Sequence, residues 1–456
     1  MHINKYIFRE YDIRGKVEED FPPHVVVSLG KAFGTHIKRS GGQEIALSGD
    51  IRLTTPSLME SFAEGVLSTG TDVINLGLLP TPANYYSMFK LGVFGAVQIT
   101  GSHNPPEFNG FKMSIERGAV YGQAIQSLKE LIENNDFETG EGSEARYNIN
   151  DDYNRMIRSK INIERQLKVV MDCGNAAACL NAPEIFNGMN NVEVTELYCD
   201  ADGTFPNHHP DPTVEKNLKD LIAEVTSGDY DLGFAFDGDA DRVGVVDEKG
   251  QVIWADQLMA LFLPEIVEPG DEILFDVKCS QALEESIEKV GGIPVMWKTG
   301  HSLIKQRMAE LKCKFGGEMS GHIFFADDFF GFDDAIYVAA RVMQLVSRSD
   351  RKLSEIAAEL PKYFSTPEMR LDCGTDEEKF VIAEKALDYF KENYDCNTID
   401  GVRIKFGDGW GLVRSSNTQP VIVTRFEANS MERMEEIKEL VLGKLKSFGN
   451  IGIEDE

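Results

Sequence analysis

The sequence predicts a mixed α/β protein of several domains that ends in a smaller α+β segment. Three observations predict it. The chain has 456 residues, 42% of them hydrophobic, so it exceeds what one core accommodates, and its length suggests three or four domains. Strand-like apolar runs alternate with helix-like segments, the pattern of mixed α/β domains. Breaks in that alternation divide the chain into segments 1–145, 146–250, 251–364 and 365–456.

The first segment alternates strands expected at 45–48 and 72–76 with helices at 57–68 and 81–91, and a buried strand at 93–99. Residues 135–145 carry Asp136, Glu138, Gly140, Glu141, Gly142 and Ser143, a linker composition. The second segment begins with a strand at 168–171 and a small-residue turn at 173–178, and closes with a strand pair over 231–246. The third has strands at 272–277 and 294–297 and a helix at 333–345, whose two leading aspartates suit a helix N-terminus. The last has strands at 402–406 and 421–426. A helix capped near Asn429-Ser430 follows, with Met434, Ile437, Val441, Leu445 and Phe448 on its core face.

Charge and cysteine usage exclude several function classes. Lys and Arg number 46 against 75 Asp and Glu, a net charge of −29. That balance argues against nucleic acid or an anionic membrane surface as the main partner. Seven scattered cysteines without a C-x-x-C pair fit neither a disulfide framework nor a structural zinc site. No apolar stretch is long enough to span a bilayer and the N-terminus lacks a signal-peptide core, so the expected location is cytoplasmic.

Four polar stretches carry chemistry. Thr100-Gly101-Ser102-His103-Asn104-Pro105-Pro106 follows the 93–99 strand, with Asn109-Gly110-Phe111-Lys112 just beyond. Two prolines keep regular structure from resuming, so Ser102 is expected on a stiff loop at a strand end, a candidate nucleophile beside a base and a cation. An ordinary turn whose Ser and Asn satisfy backbone groups is the alternative. Asp237-Gly238-Asp239-Ala240-Asp241-Arg242 follows an apolar run, and three carboxylates converging at a strand end call for a cation. Their all-oxygen set suits Mg²⁺ better than zinc, and a solvated acidic hairpin is the alternative. Arg242 stands where an EF-hand loop needs Gly, which argues against that motif.

Glu318, Ser320 and His322 alternate in Phe315 to Phe325, so an extended chain would align an acceptor, a hydroxyl and an imidazole toward a sugar. His301 follows another strand. His208 and His209 read as structural, since neighbours on an extended chain point apart. Arg414-Ser415-Ser416-Asn417-Thr418-Gln419-Pro420, with Arg425 downstream, is a phosphate-binding composition, or else a capped turn. Neither a Walker loop nor a dinucleotide fingerprint is present, so nucleotide-driven chemistry has no support.

Together and in this order the stretches resemble the α-D-phosphohexomutase superfamily along essentially the whole chain. The matching signatures are YDIRG at 11–15, TGSHNP at 100–105, NGFK at 109–112, DGDADR at 237–242, GEMSGH at 317–322 and RSSNTQP at 414–420. GEMSGH, KTGH at 298–301, FPNHHPDP at 205–212 and GFDD at 331–334 look most like the bacterial phosphomannomutase/phosphoglucomutase branch. The resemblance implies four domains around a central cleft, the first three of similar α/β topology.

It also implies that Ser102 is a phosphoserine and that Asp237, Asp239 and Asp241 bind Mg²⁺ together with a phosphoryl oxygen on Ser102. Arg242 and Lys278 would lie near the metal. Arg14, His103 and Lys112 would line the transfer site, with Lys112 or His301 carrying protons. Glu318 and Ser320 would read sugar hydroxyls beside His322. Arg414, Ser416, Asn417, Thr418 and Arg425 would hold the phosphate that is not moving.

The expected activity is a reversible shift of phosphate between the 1- and 6-positions of mannose or glucose phosphates, through a hexose 1,6-bisphosphate, by a monomer or weak homodimer. Three alternatives stay open on the residues alone: a phosphoglucosamine mutase, a metal-dependent phosphatase, and an inactive phosphosugar-binding paralogue. Relative kcat/KM on glucosamine and mannose phosphates, net release of inorganic phosphate, and the phosphate content of Ser102 separate them.

Overall fold

The computed structural model describes residues 3–416 and 420–453. It divides into two compact units, residues 1–255 with 320–358, and residues 256–319 with 359–456.

The first unit holds two sheets. In one, Ile13–Lys16 runs antiparallel to Phe108–Ile115, which runs antiparallel to Gly95–Ile99; Glu44–Gly49, Asp72–Leu78 and Glu144–Arg146 then follow in parallel. The register sets Arg14 opposite Gly110, Ile99 opposite Phe111 and Gln98 opposite Lys112. Arg14, Lys112 and the loop after Ile99 therefore share one end of the sheet. The continuous burial of Gly95–Ile99 reflects a strand covered on both faces.

In the second sheet, Leu232–Phe236 lies between Leu167–Asp172 in parallel and Val243–Asp247 in antiparallel. Its five residues are all buried, as an uninterrupted apolar run requires. The acidic turn is the hairpin between Leu232–Phe236 and Val243–Asp247. The helix Ala335–Ser347 packs on both of these strands.

In the second unit, Glu272–Asp276 is flanked in parallel by Ile293–Trp297 and Phe315–Gly317. A separate antiparallel sheet orders Asp395–Asn397, Val402–Lys405, Gly409–Ser415, Val421–Ala428, Met369–Asp372 and Gly452–Ile453. Asp376–Asn393 and Met431–Lys446 pack on that sheet, burying Ile382, Phe390, Ile437, Val441 and Leu445.

Three expectations change. The 135–145 stretch is not all linker: Glu144–Arg146 is an edge strand and Gly140 bridges Thr69, because backbone groups beside an open sheet edge pair with it. The third-segment helix starts at Ala335, not 333; Asp334 is its N-cap, accepting from the Tyr337 amide. Phe448 lies beyond the end of its helix at Lys446, yet still packs on the core. All seven cysteines are free, and among the described residues no helix is long and apolar enough to cross a membrane.

Candidate active site

Ser102 sits on the loop after Gly95–Ile99, buried, with φ at +48°, the left-handed region that non-glycine residues enter at a cost of roughly 1–2 kcal/mol. Its Oγ donates to Asp237 Oδ2 at 2.9 Å and lies 3.1 Å from His103 Nδ1. The hydroxyl thus stands between a carboxylate of the acidic turn and an imidazole. Burial first, then the charges of Arg242, Arg14 and Lys112, push His103 well below the usual histidine value. His103 is therefore neutral and able to accept a proton from Oγ.

The acidic turn is held from outside by its backbone. The Gly238, Asp239 and Ala240 carbonyls accept from the amides of Ala177, Thr81 and Ala335 at 3.2, 2.9 and 3.1 Å. Three segments distant in sequence thus pin three successive carbonyls, and the carboxylates are left to converge. Gly238 is required here, because a Cβ on it would stand 2.1 Å from the Ser102 carbonyl oxygen. The serine loop and the acidic turn meet through that bare Cα.

The carboxylates of Asp237, Asp239 and Asp241 are buried and offer one oxygen each within 4.8 Å of one another. Lys112 Nζ donates to Asp239 Oδ2 at 2.7 Å and also to Asp241 Oδ2. Burial, followed by the charges of Asp241 and Asp239, pushes the Asp237 carboxyl well above the usual range. Burial also opposes charge on Asp239, but Lys112 outweighs it and holds that carboxyl well below. Asp239 Oδ1 and Asp241 Oδ1 are buried with no hydrogen-bond partner among the described residues. Two orphaned oxygens and a third carboxyl whose charge is suppressed by like neighbours fit a hard divalent cation with oxygen ligands.

Around this centre, Arg14 pairs with Asp12 at 2.6 Å and donates to Asn104 Oδ1 at 3.2 Å. Arg242 donates its amide to Asp237 Oδ1 at 3.1 Å and its Nε to His322 Nε2 at 3.0 Å. His322 Nδ1 lies 2.9 Å from Asp333 Oδ2 and 3.6 Å from Asp241 Oδ1. The first unit therefore brings together Arg14, Ser102, His103, Lys112, Asp237, Asp239, Asp241, Arg242 and His322.

The aligned row Glu318, Ser320, His322 does not form. Residues 319–321 turn, with Gly321 at φ +97°, a conformation that breaks the two-residue alternation. His322 is consequently directed to Arg242 and Asp333 within the first unit, and Ser320 lies half-buried in the turn. Glu318 belongs to the second unit, where its carboxylate accepts from the Gly300 amide.

The second unit gathers the remaining polar residues around Asp276 and Asp400. Asp276 accepts from Thr299 Oγ1 and the Met319 amide at 2.9 and 3.1 Å. Lys278 Nζ lies 3.1 Å from Glu368 Oε2; burial works against its charge, but Glu368 and Asp276 hold it above the usual lysine value. Arg414 Nε and the Thr299 amide both donate to Asp400 Oδ2, at 3.0 and 3.1 Å. His301 opens the helix His301–Leu311. The Ser416 amide donates to the Val421 carbonyl, and its own carbonyl accepts from buried Lys379 at 2.8 Å. Asn417 and Thr418 lie outside the described residues.

Arg425 departs from its expected role as a phosphate ligand. It is buried, its Nη1 donates to the Lys278 carbonyl and its Nε to the Thr366 carbonyl at 3.4 Å, and Asp256 lies 3.6 Å away. Those carbonyls need donors more than a mobile ligand does, so the guanidinium braces backbone.

Two residues that hold the serine loop stand outside the expected site residues. Arg52 donates to loop carbonyls, and His209 Nε2 is hydrogen-bonded to the His103 carbonyl. His208, beside it, bonds Asp172 at 3.0 Å. The His-His pair does point apart, but His209 points at the nucleophile loop.

Comparison with known proteins gives a consistent picture. Residues 5–139, 151–250 and 254–364 match the models of phosphoglucomutase/phosphomannomutase alpha/beta/alpha domains I, II and III, and residues 347–444 match the C-terminal domain of the same family. The chain is 44% identical over 445 residues to the phosphomannomutase/phosphoglucomutase of Pseudomonas aeruginosa, covering 97% of this chain and 96% of that protein. It is 40% identical to a phosphoglucomutase of Neisseria meningitidis, covering 99% of each. A crystal structure of a phosphoglucomutase/phosphomannomutase family protein from Burkholderia thailandensis superposes with a TM-score of 0.92 at 40% identity, covering 99% of this chain and all of that one.

Proposed function

Because the chain belongs to the phosphoglucomutase/phosphomannomutase family, we propose that it interconverts the 1- and 6-phosphates of mannose and of glucose through phospho-Ser102 and a hexose 1,6-bisphosphate. The observation that carries the reading is Ser102 Oγ at 2.9 Å from Asp237 Oδ2, within a buried turn of three carboxylates and next to Arg14, His103 and Lys112. That is the equipment of phosphoryl transfer, in which positioning and charge neutralisation carry most of the catalysis.

In the forward half-reaction the phosphoryl group leaves Ser102 Oγ for a sugar hydroxyl; one P–O bond breaks as the other forms, and the hydroxyl proton passes to a base. In the return half-reaction Ser102 Oγ attacks the second phosphate of the bisphosphate, and neutral His103, 3.1 Å away, accepts the Oγ proton. Mg²⁺ bound by Asp237, Asp239, Asp241 and a phosphoryl oxygen would offset the charge of the group in flight. Arg14 and Lys112 add fixed positive charge at the same sheet end. Arg242 carries His322, whose Nε2 accepts from the guanidinium and so leaves the ring proton on Nδ1, toward Asp333.

Glu318 and Ser320 would read sugar hydroxyls, with Lys278, Arg414, Ser416, Asn417 and Thr418 on the stationary phosphate and His301 a proton carrier. The working division at residues 145, 250 and 364 assigns nucleophile, metal, sugar and phosphate to successive segments. The protein would act in the cytoplasm as a monomer or weak homodimer. A panel of mannose, glucose and glucosamine 1-phosphates, assayed with Mg²⁺ and the matching bisphosphate, tests the reading. Turnover of mannose and glucose phosphates supports it. Dominant turnover of the glucosamine ester, or stoichiometric release of inorganic phosphate, refutes it.

A further inference from the structure

We propose that Arg52 is a positioning residue for the phosphoryl-carrying serine, setting the rate of transfer through the backbone of the loop. The inference rests on the mutase reading above and goes beyond it, since Arg52 belongs to none of the sequence signatures.

The loop from Ser102 to Phe108 is rich in acceptors and poor in donors. The Phe108 amide returns to the Pro105 carbonyl at 3.0 Å, but Pro105 and Pro106 lack amide hydrogens, so the loop has too few donors to pair all its carbonyls among its own residues. Arg52 supplies the missing donors from one planar group. Its Nη2 donates to the carbonyls of Ser102 and Asn104 at 2.7 and 2.6 Å, and its Nη1 to those of Pro105 and Phe108 at 2.7 and 3.0 Å. Only 1% of the residue is exposed, and its Nε returns to Asp50 Oδ2 at 3.2 Å, so the buried charge is paired. The same Asp50 oxygen accepts from Thr100 Oγ1 and the Gly101 amide at 2.8 and 3.1 Å. Phe205 covers the guanidinium with its ring centroid 5.3 Å away.

The pair Asp50–Arg52 therefore grips both sides of Ser102, a hydroxyl and an amide before it and carbonyls from Ser102 onward. Ser102 needs that grip because its φ of +48° is unfavourable for a residue with a Cβ. Its carbonyl is caught between Arg52 Nη2 and bare Gly238 of the acidic turn, and this fixes where Oγ stands against Asp237. A lysine would keep the charge but lose the planar fork that spans four carbonyls.

The test uses the full-length protein, with glucose 1-phosphate, Mg²⁺ and glucose 1,6-bisphosphate. For Arg52→Lys we expect kcat to fall about 10²-fold, the scale of an ångström-level misplacement, with KM within about threefold. The phosphoserine, followed by ³¹P NMR, should be lost to water faster than in wild type. Arg52→Ala should regain part of its kcat with sub-denaturing guanidinium but not with potassium chloride of equal ionic strength. Wild-type kcat in the lysine variant overturns the proposal. So does a loss of activity that only tracks the folded fraction by circular dichroism, with an unchanged phosphoserine lifetime. If both Arg52 variants are recovered unfolded, Asp50→Asn takes their place: it keeps the guanidinium but weakens the grip on Gly101 and Thr100, and it must lower kcat while KM holds. A wild-type protein inert toward every hexose phosphate refutes the mutase reading. A working mutase whose Arg52 and Asp50 variants match it refutes only the positioning role.

Discussion

Arg52 in the first unit and Arg425 in the second are both buried guanidiniums that serve backbone carbonyls, but they serve different architectures. Arg52 spends four donors on one loop, the one bearing Ser102. Arg425 divides its donors between the Lys278 carbonyl on one side and the Thr366 carbonyl and Ser365 Oγ on the other, two segments far apart in sequence. The first arrangement orders a reacting group; the second ties chain segments together. Proximity to a polar motif thus says little about an arginine's task. Unsatisfied carbonyls within reach of the fork decide it. Arg414, next to the same motif as Arg425, instead pairs with the Asp400 carboxylate.

The contrast can be broken at its centre first. Ser102→Ala removes the group that the whole first-unit arrangement orders, and kcat should fall at least about 10⁴-fold, because the nucleophile acts as a unit with its neighbours. Near-wild-type turnover would mean that the loop orders nothing that reacts. Next in size is the cation. Chelation should abolish turnover and Mg²⁺ restore it, while Asp239→Asn should cost about 10²–10³-fold in kcat, the scale of losing one electrostatic contact at a developing charge. Titration calorimetry should show weakened Mg²⁺ binding in that variant; unchanged binding would dissociate the turn from the metal.

The two arginines of the C-terminal strands then separate ligand from scaffold. Arg414→Ala should raise KM for glucose 1-phosphate about tenfold with the urea midpoint little changed, as loss of one charge-assisted phosphate contact predicts. Arg425→Ala should do the reverse, costing about 3 kcal/mol of stability, since it strands buried carbonyls and leaves Asp256 without its neighbour. Equal effects on KM would erase the distinction.

The sequence made the chemistry legible where polar groups cluster at strand ends, because an apolar run that stops at Gly101 or Asp237 has few other readings. Alternation likewise revealed the strands at 45–48, 72–76 and 168–171 within a residue or two at most positions. What stayed hidden depends on tertiary approach. Arg52 follows a strand by three residues, and nothing local says that a proline-rich loop fifty residues later lacks donors. His209 reads as structural because neighbours on an extended chain point apart, and only the folded chain shows that the carbonyl it meets is that of His103. The row from Glu318 to His322 was misread for a different reason: Gly316, Gly317 and Gly321 permit both an extended chain and a turn, and the hydrogen bond between the Val243 amide and the Gly321 carbonyl selects the turn.

The smallest effect expected concerns pH, and it sharpens the contrast between a support that cannot titrate and one that can. Burial lowers the Arg52 guanidinium, but from so high an ordinary value that it keeps its proton throughout the physiological range. His208 does not. Burial opposes its charge, but the hydrogen bond and charge of Asp172 prevail and raise it above the ordinary value of 6.5. A raised native pKa means that the folded protein binds this proton more tightly than the unfolded chain. The stabilisation is therefore complete below about pH 6.5 and fades as pH rises through the native value. Asp172 also accepts from the Gly174 amide at 2.9 Å, at the start of the turn whose Ala177 amide holds the Gly238 carbonyl. His208→Asn should accordingly lower the unfolding free energy from urea titration relative to wild type at pH 6, by about 1 kcal/mol or less because the imidazole is partly exposed. The gap should narrow toward pH 8.5. A gap that is constant across that range would show that His208 supports the turn by shape alone.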